Sequence, residues 1–167
     1  VKGLYINSNQ NLTYFPKGLE KFFPNLEAFY FYNTKITVLS GDELKPFGNS
    51  VIFVLFNNIG LEKVPGNFFA YTPMMKHFAF YNTNVKYFGA DLVNGLEHLI
   101  YVDLRLNMCI NQEARTSLQV PALIESLRRN CTEIETTTTS TTPIPLTTRG
   151  YSCDDINGVV CHIQEQN

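Results

Sequence analysis

Apolar residues return along this chain in one short phrase, spaced by two within the phrase and by about 25 residues between phrases. Val1-x-x-Leu4-x-Ile6 comes back as Leu26-x-x-Phe29-x-Phe31 and Val51-x-x-Val54-x-Phe56. It returns again as Met75-x-x-Phe78-x-Phe80 and Leu99-x-x-Val102-x-Leu104. The starts at 1, 26, 51, 75 and 99 give steps of 25, 25, 24 and 24. Apolar residues at positions four and six alternate with residues that face the other way, the period-two signature of a half-buried strand. Recurrence at this step predicts a solenoid. One repeat cannot bury its apolar side, whereas stacked repeats share a continuous core. The connections carry spaced apolar residues such as Leu19, Phe22, Leu44, Phe47, Phe68, Leu92 and Leu96. They read as irregular or short helical turns on the opposite side.

Laid in this register, the phrase extends to L-x-x-L-x-L-x-x-N-x-L. Position nine holds Asn9, Thr34, Ile59, Thr83 and Asn107. Position eleven holds Ile36, Leu61, Val85 and Cys109, and a one-residue insertion moves it to Leu12 in the first repeat. Phe15, Leu39, Val64 and Phe88 follow three residues later. The phrase resembles the leucine-rich repeat family over about two thirds of the chain. The resemblance implies an α/β repeat solenoid, a horseshoe with a short parallel strand per repeat on its concave side and an irregular convex side. Phe and Val replace Leu at many core positions. The asparagine with which the family hydrogen-bonds its turn backbone is absent from the three middle repeats. An Asn one position earlier in those repeats (Asn33, Asn58, Asn82) marks a variant turn in which the side chain satisfies the backbone locally.

The period ends near residue 109. Over 110–131, Pro121 suits a first helical turn, and Leu123, Ile124 and Leu127 follow at helical spacing. Four cysteines, Cys109, Cys131, Cys153 and Cys161, allow three pairings, and chain order favours Cys109–Cys131 and Cys153–Cys161. No C-x-x-C pair suggests zinc. A helix tied by Cys131 back to Cys109 resembles the C-terminal cap of extracellular leucine-rich repeat proteins, reduced from the usual four cysteines. Closing that loop would stabilise the fold by about 3 kcal/mol on the chain-entropy model. Residues 132–149 hold nine Thr in eighteen positions, a low-complexity linker or O-glycosylated stalk that cannot form a packed core. Residues 150–167 form a short two-cysteine tail. Val1 opens directly on a repeat strand, as expected of a chain from which a leader and an N-terminal cap have been removed.

Composition narrows the function. A net charge of −2 supplies no basic field for nucleic acid or an anionic membrane. No apolar run approaches a membrane span, so membrane association would require a segment outside this chain. Cysteine usage, the sequons Asn11-Leu12-Thr13 and Asn130-Cys131-Thr132, and the Thr tract together point to an extracellular home. His77, His98 and His162 fall in separate regions, and no nucleophile, phosphate-loop or metal motif is present. Asp154 and Asp155 read as solvated loop carboxylates. The chain is therefore expected to be no enzyme and to need no cofactor or metal.

The outward strand positions are the candidate site. Soluble sheets are usually polar there, yet this face is expected to carry Tyr5, Tyr30, Tyr32, Phe53, Leu55, His77, Tyr81 and Tyr101, with Asp103 and Arg105 as a polar anchor. Exposed apolar patches mark binding sites, and Tyr offers large contact area with few rotors to freeze. The expected function is recognition of a protein, or of a glycan, through this face. The competing reading is a mucin-like or matrix protein in which the repeats serve as scaffold.

Overall fold

The computed structural model describes residues 1–132 and, beyond them, two short strands at Tyr151–Cys153 and Cys161–Ile163. The chain divides into two compact units, Val1–Ile134 and Glu135–Asn167. In chain order the first unit contains β1 (Gly3–Asn7), α1 (Leu19–Phe22), β2 (Ala28–Tyr32), β3 (Ile52–Phe56) and β4 (Lys63–Val64). It continues with β5 (His77–Tyr81), β6 (Tyr87–Phe88), β7 (Tyr101–Asp103), β8 (Glu113–Ala114) and α2 (Val120–Cys131). The second unit contains β9 (Tyr151–Cys153) and β10 (Cys161–Ile163), antiparallel, with Cys153 and Cys161 opposite each other on the backbone. The rest of the Thr-rich segment and tail lies outside the described residues, as do Asp154 and Asp155.

The first unit is a predominantly parallel-sheet solenoid of about four turns. Its main sheet runs β1-β2-β3-β5-β7-β8, parallel as far as β7 and antiparallel at β8. A second, shorter parallel pairing joins β4 to β6, and a lone bridge joins Tyr14 to Val38 in the earlier turns. The turns that follow β4 and β6 abut so closely that a Cβ on Gly89 would overlap the backbone of Gly66, so only glycine fits there. Phenylalanine fills the space between the sheets. Phe29, Phe31, Phe53, Phe68, Phe69, Phe78, Phe80 and Phe88 are all essentially buried, in tilted and edge-to-face contacts.

The third strand corrects the expected register. Ala28 pairs with Ile52 and Phe29 with Phe53, so the third repeat begins at Ser50 and not at Val51. Phe53 and Leu55 therefore point into the core, each 0% exposed, while Val54 and Phe56 face outward and are half-buried. Backbone hydrogen bonds repeat in the corrected phase. The N–H at position eight of each repeat donates to the position-seven carbonyl of the next: Ser8 to Tyr32 (3.0 Å), Asn33 to Phe56 (2.9 Å), Asn57 to Tyr81 (3.0 Å) and Asn82 to Arg105 (3.0 Å).

The corrected phase also accounts for the asparagines. Position eight is left-handed in every repeat: Ser8, Asn33, Asn57, Asn82 and Leu106 have φ between 50° and 58°. Asn tolerates this conformation better than other non-glycine residues, which explains its recurrence there. Position nine of the third repeat is then Asn58, not Ile59, and it is fully buried. Its Oδ1 accepts from Thr34 Oγ1 (2.8 Å) and Ile36 N (2.7 Å), and its Nδ2 donates to the Ile36 carbonyl (2.6 Å). Asn107 serves Thr83 and Val85 in the same way, at 2.7 and 3.1 Å. The Thr repeats thus borrow their turn asparagine from the repeat that follows.

Ser50 now occupies position one, where the other repeats carry Val1, Leu26, Met75 and Leu99. Its hydroxyl is buried and, among the described residues, has no hydrogen-bond partner. An unpaired buried hydroxyl costs free energy that a methyl group does not. Ser50→Ala is expected to raise stability by about 1 kcal/mol, read as a higher urea midpoint at unchanged slope.

After β8 the chain enters α2, with Pro121 in its first turn and Val120, Leu123, Leu127 and Cys131 buried. The helix packs on β6 and β8. A disulfide joins Cys131 to Cys109 with Cα atoms 5.1 Å apart, and Arg128 Nη2 donates to Asn94 Oδ1 at 3.0 Å.

Candidate functional site

Position seven of the second to fifth repeats, Tyr32, Phe56, Tyr81 and Arg105, builds a line of side chains across the main sheet, and Tyr5, from position five of the first repeat, extends it. Parallel pairing in register places equivalent residues of successive repeats side by side. Tyr5 lies 5.2 Å from Tyr32, Tyr32 lies 5.3 Å from Phe56, and Phe56 lies 4.4 Å from Tyr81 between ring centroids. The Phe56–Tyr81 pair is stacked with 9° between planes. Arg105 ends the line with its guanidinium 5.2 Å from the Tyr81 centroid, a cation–π contact. Tyr30 flanks Tyr5 at 6.4 Å. Burial, followed by the neighbouring Tyr5 and Tyr30, holds the Tyr32 phenol above its ordinary pKa, so it keeps its proton.

A second ladder runs along the rim where the strands end. Asn33 Nδ2 donates to Asn7 Oδ1 (2.9 Å), Asn57 to Asn33 (3.2 Å) and Asn82 to Asn57 (2.9 Å). These amides lock the left-handed turns to one another and so fix the backbone from which the rings project. On the other side stand Ile52, His77 and Tyr101, with His77 and Tyr101 edge-to-face at 6.1 Å. Val54, Ala79 and Asp103 lie between the two lines. Ala79 is only 5% exposed although it faces outward, because the larger residues on both sides cover it.

The C-terminal end of the face is charged but internally neutralised. Asp103 is buried, and Arg105 grips it in a fork: Nε to Oδ1 at 3.0 Å and Nη2 to Oδ2 at 2.7 Å. Tyr101 Oη adds a third contact at 3.2 Å. Glu113 on β8 faces Arg105 Nη1 at 3.3 Å and Arg115 Nη2 at 2.8 Å. Burial alone would raise the Asp103 pKa, but the Arg105 hydrogen bonds and charge outweigh it and hold the carboxyl below its ordinary value. The Tyr101 phenol is pushed up by burial first and by the Asp103 charge next. A depressed carboxylate stabilises the fold above its unfolded pKa of about 3.9 and loses that contribution as pH falls through the folded value. Asp103→Asn is therefore expected to cost about 2 kcal/mol at pH 7, since it removes the nearer of the two carboxylates that face Arg105 and leaves only Glu113. The gap to wild type should close in unfolding curves taken progressively below pH 4.

Of the residues read from sequence as the outward face, Tyr5, Tyr30, Tyr32, His77, Tyr81, Tyr101, Asp103 and Arg105 lie in its columns. Phe53 and Leu55 do not, being core residues. Phe56, expected inward, instead joins Tyr32 to Tyr81 and makes the ladder continuous. A signal for this was present. Asn58-x-x-Leu61 repeats the Asn9-x-x-Leu12 spacing, which puts the third repeat one residue earlier.

The sequon asparagines Asn11 and Asn130 are both exposed. Among the described residues no group of three His, Cys, Asp or Glu side chains is placed to hold a metal ion, and no helix is long and apolar enough to cross a membrane. No protein-family model matches this chain, and no curated protein matches it.

Proposed function

We propose that this chain is an extracellular recognition module of leucine-rich repeat type that binds a protein through the aromatic face of its main sheet. The continuous ladder from Tyr5 through Tyr32, Phe56 and Tyr81 to Arg105 carries the reading. A row of rings on an outward sheet face, exposed at Tyr5 and half-buried at Tyr32, Phe56 and Tyr81, is apolar surface presented to solvent, on a backbone already fixed by the amide ladder. Association then freezes little that is not already ordered.

Ring geometry favours a protein over a glycan. Sugars stack flat on a free aromatic face. In this ladder the facing surfaces of Phe56 and Tyr81 are spent on each other, so a partner meets ring edges and phenol hydroxyls. Edges and hydroxyls suit apolar side chains and backbone carbonyls. The absence of net charge on the Asp103–Arg105 pair leaves specificity to shape and to the hydroxyls. The repeat phrase, the turn asparagines Asn58 and Asn107 and the disulfide-tied α2 support the family reading. In it the sheet lines the concave side of a horseshoe and α2 caps the last repeat. The Cys109–Cys131 disulfide favours an oxidising compartment.

The test is paired capture from extracellular material of the source organism. One bait is wild type and the other carries Tyr32→Ser, Phe56→Ser and Tyr81→Ser, both confirmed folded by circular dichroism. A protein held by the first and lost from the second supports the reading. Equal retention by both baits contradicts it and moves weight to the scaffold reading.

A further inference from the structure

The two sequons are chemically alike in sequence but not in the fold, and we infer that Asn11 is a standing N-glycosylation site whereas Asn130 accepts a glycan only before α2 and the Cys109–Cys131 disulfide form. This inference rests on the extracellular reading above. An acceptor asparagine must be offered on an open surface segment with its amide nitrogen and the hydroxyl two residues on both free for the transferase. The reaction breaks the anomeric C–O bond joining an oligosaccharide to its lipid diphosphate carrier. It forms a C–N bond to the asparagine Nδ2, which gives up one proton as the lipid diphosphate leaves.

Asn11 meets the requirement. It sits exposed in the turn after β1, where its backbone N–H donates to Asn9 Oδ1 at 3.1 Å. Among the described residues neither its Nδ2 nor the Thr13 hydroxyl makes a hydrogen bond. The Thr13 carbonyl, by contrast, is fixed by Thr37 N at 3.0 Å.

Asn130 does not meet it once the chain is folded. It lies in the last turn of α2, and its Nδ2 donates to Ser126 Oγ at 3.3 Å. The Thr132 hydroxyl donates to the Arg128 carbonyl at 2.7 Å. Cys131, the middle residue of the sequon, is 1% exposed and held by the disulfide. All three residues of the sequon are thus committed to the helix end. Glycan at Asn130 and closure of the disulfide compete for the same segment.

The test expresses the full chain behind a grafted secretion leader and reads site occupancy by peptide mass spectrometry. Most secreted molecules should carry glycan at Asn11 and few at Asn130. Cys109→Ser, which leaves the Asn130 sequon unaltered, should raise Asn130 occupancy several-fold with Asn11 unchanged. Wild type synthesised in the presence of a thiol reductant should show the same rise, so the result does not depend on the variant's folding. Full occupancy of Asn130 in oxidised wild type, or an empty Asn11 in secreted chain, would overturn the inference. Glycan on the grafted chain but none on material from the source organism would support the site assignment and count against the extracellular reading instead.

Discussion

Phe53→Ala is expected to destabilise the solenoid by about 4 kcal/mol, whereas Val54→Thr, one residue along, should change stability by less than about 0.5 kcal/mol. Phe53 has no exposed surface, and its ring lies 4.9 Å from Phe68, 5.6 Å from Phe80, 5.9 Å from Phe69 and 6.2 Å from Phe31. Truncation removes the hub of a ring cluster that spans three repeats and leaves a cavity that packed neighbours can only partly refill. Against a total stability of about 5–15 kcal/mol, that loss takes much of the folded population's margin. Val54 faces outward with room for a hydroxyl to reach water. Urea unfolding followed by circular dichroism measures both. A tolerated Phe53→Ala alongside a severe Val54→Thr would put the third strand back in the register first read from its sequence.

Asn58→Ala should cost about 3–4 kcal/mol, while Asn9→Ala at the same repeat position should cost under about 0.5 kcal/mol. Removing the Asn58 amide strands the Thr34 hydroxyl, the Ile36 N–H and the Ile36 carbonyl. Each loses its partner in a site closed to water, where an unpaired polar group costs about 1–3 kcal/mol. Asn9 is exposed, and water replaces its contact with the Asn11 N–H. Thermal unfolding of the two variants separates a structural asparagine from a superficial one. Equal effects at the two sites would contradict the assignment of Asn58 as the turn asparagine of the preceding repeat.

The period, the parallel strands, the inward positions of four repeats and the Cys109–Cys131 pairing were legible from residue order alone. The phase of β3 was not. Val51 through Phe56 is apolar at every position, so period-two alternation fits either face, and a one-residue slip exchanges the whole set. Ser50 deepened the ambiguity by putting a polar residue where the other repeats carry an aliphatic one. The slip had a functional consequence. It placed Asn57 at the outward position between Tyr32 and Tyr81, and so hid the ring that connects them. The borrowing of Asn58 by Thr34 was also invisible, because the partners stand 24 residues apart and meet only once the turns are stacked. The burial of Asp103 could not be read either. An outward strand position suggests a solvated carboxylate, and its cover comes from Tyr101, Arg105 and the antiparallel β8, which lies outside the repeat period.

The most direct test of the central claim is which face of the solenoid touches the partner. A photo-crosslinking phenylalanine analogue placed at position 56 samples the middle of the ladder. The same analogue at position 87, an exposed tyrosine on the β4–β6 sheet, samples the alternative surface. Illumination with the captured partner bound should give a covalent adduct from position 56 and none from position 87. An adduct from position 87 alone would show that the partner docks on the other sheet and that the aromatic ladder steadies the fold without recognising anything.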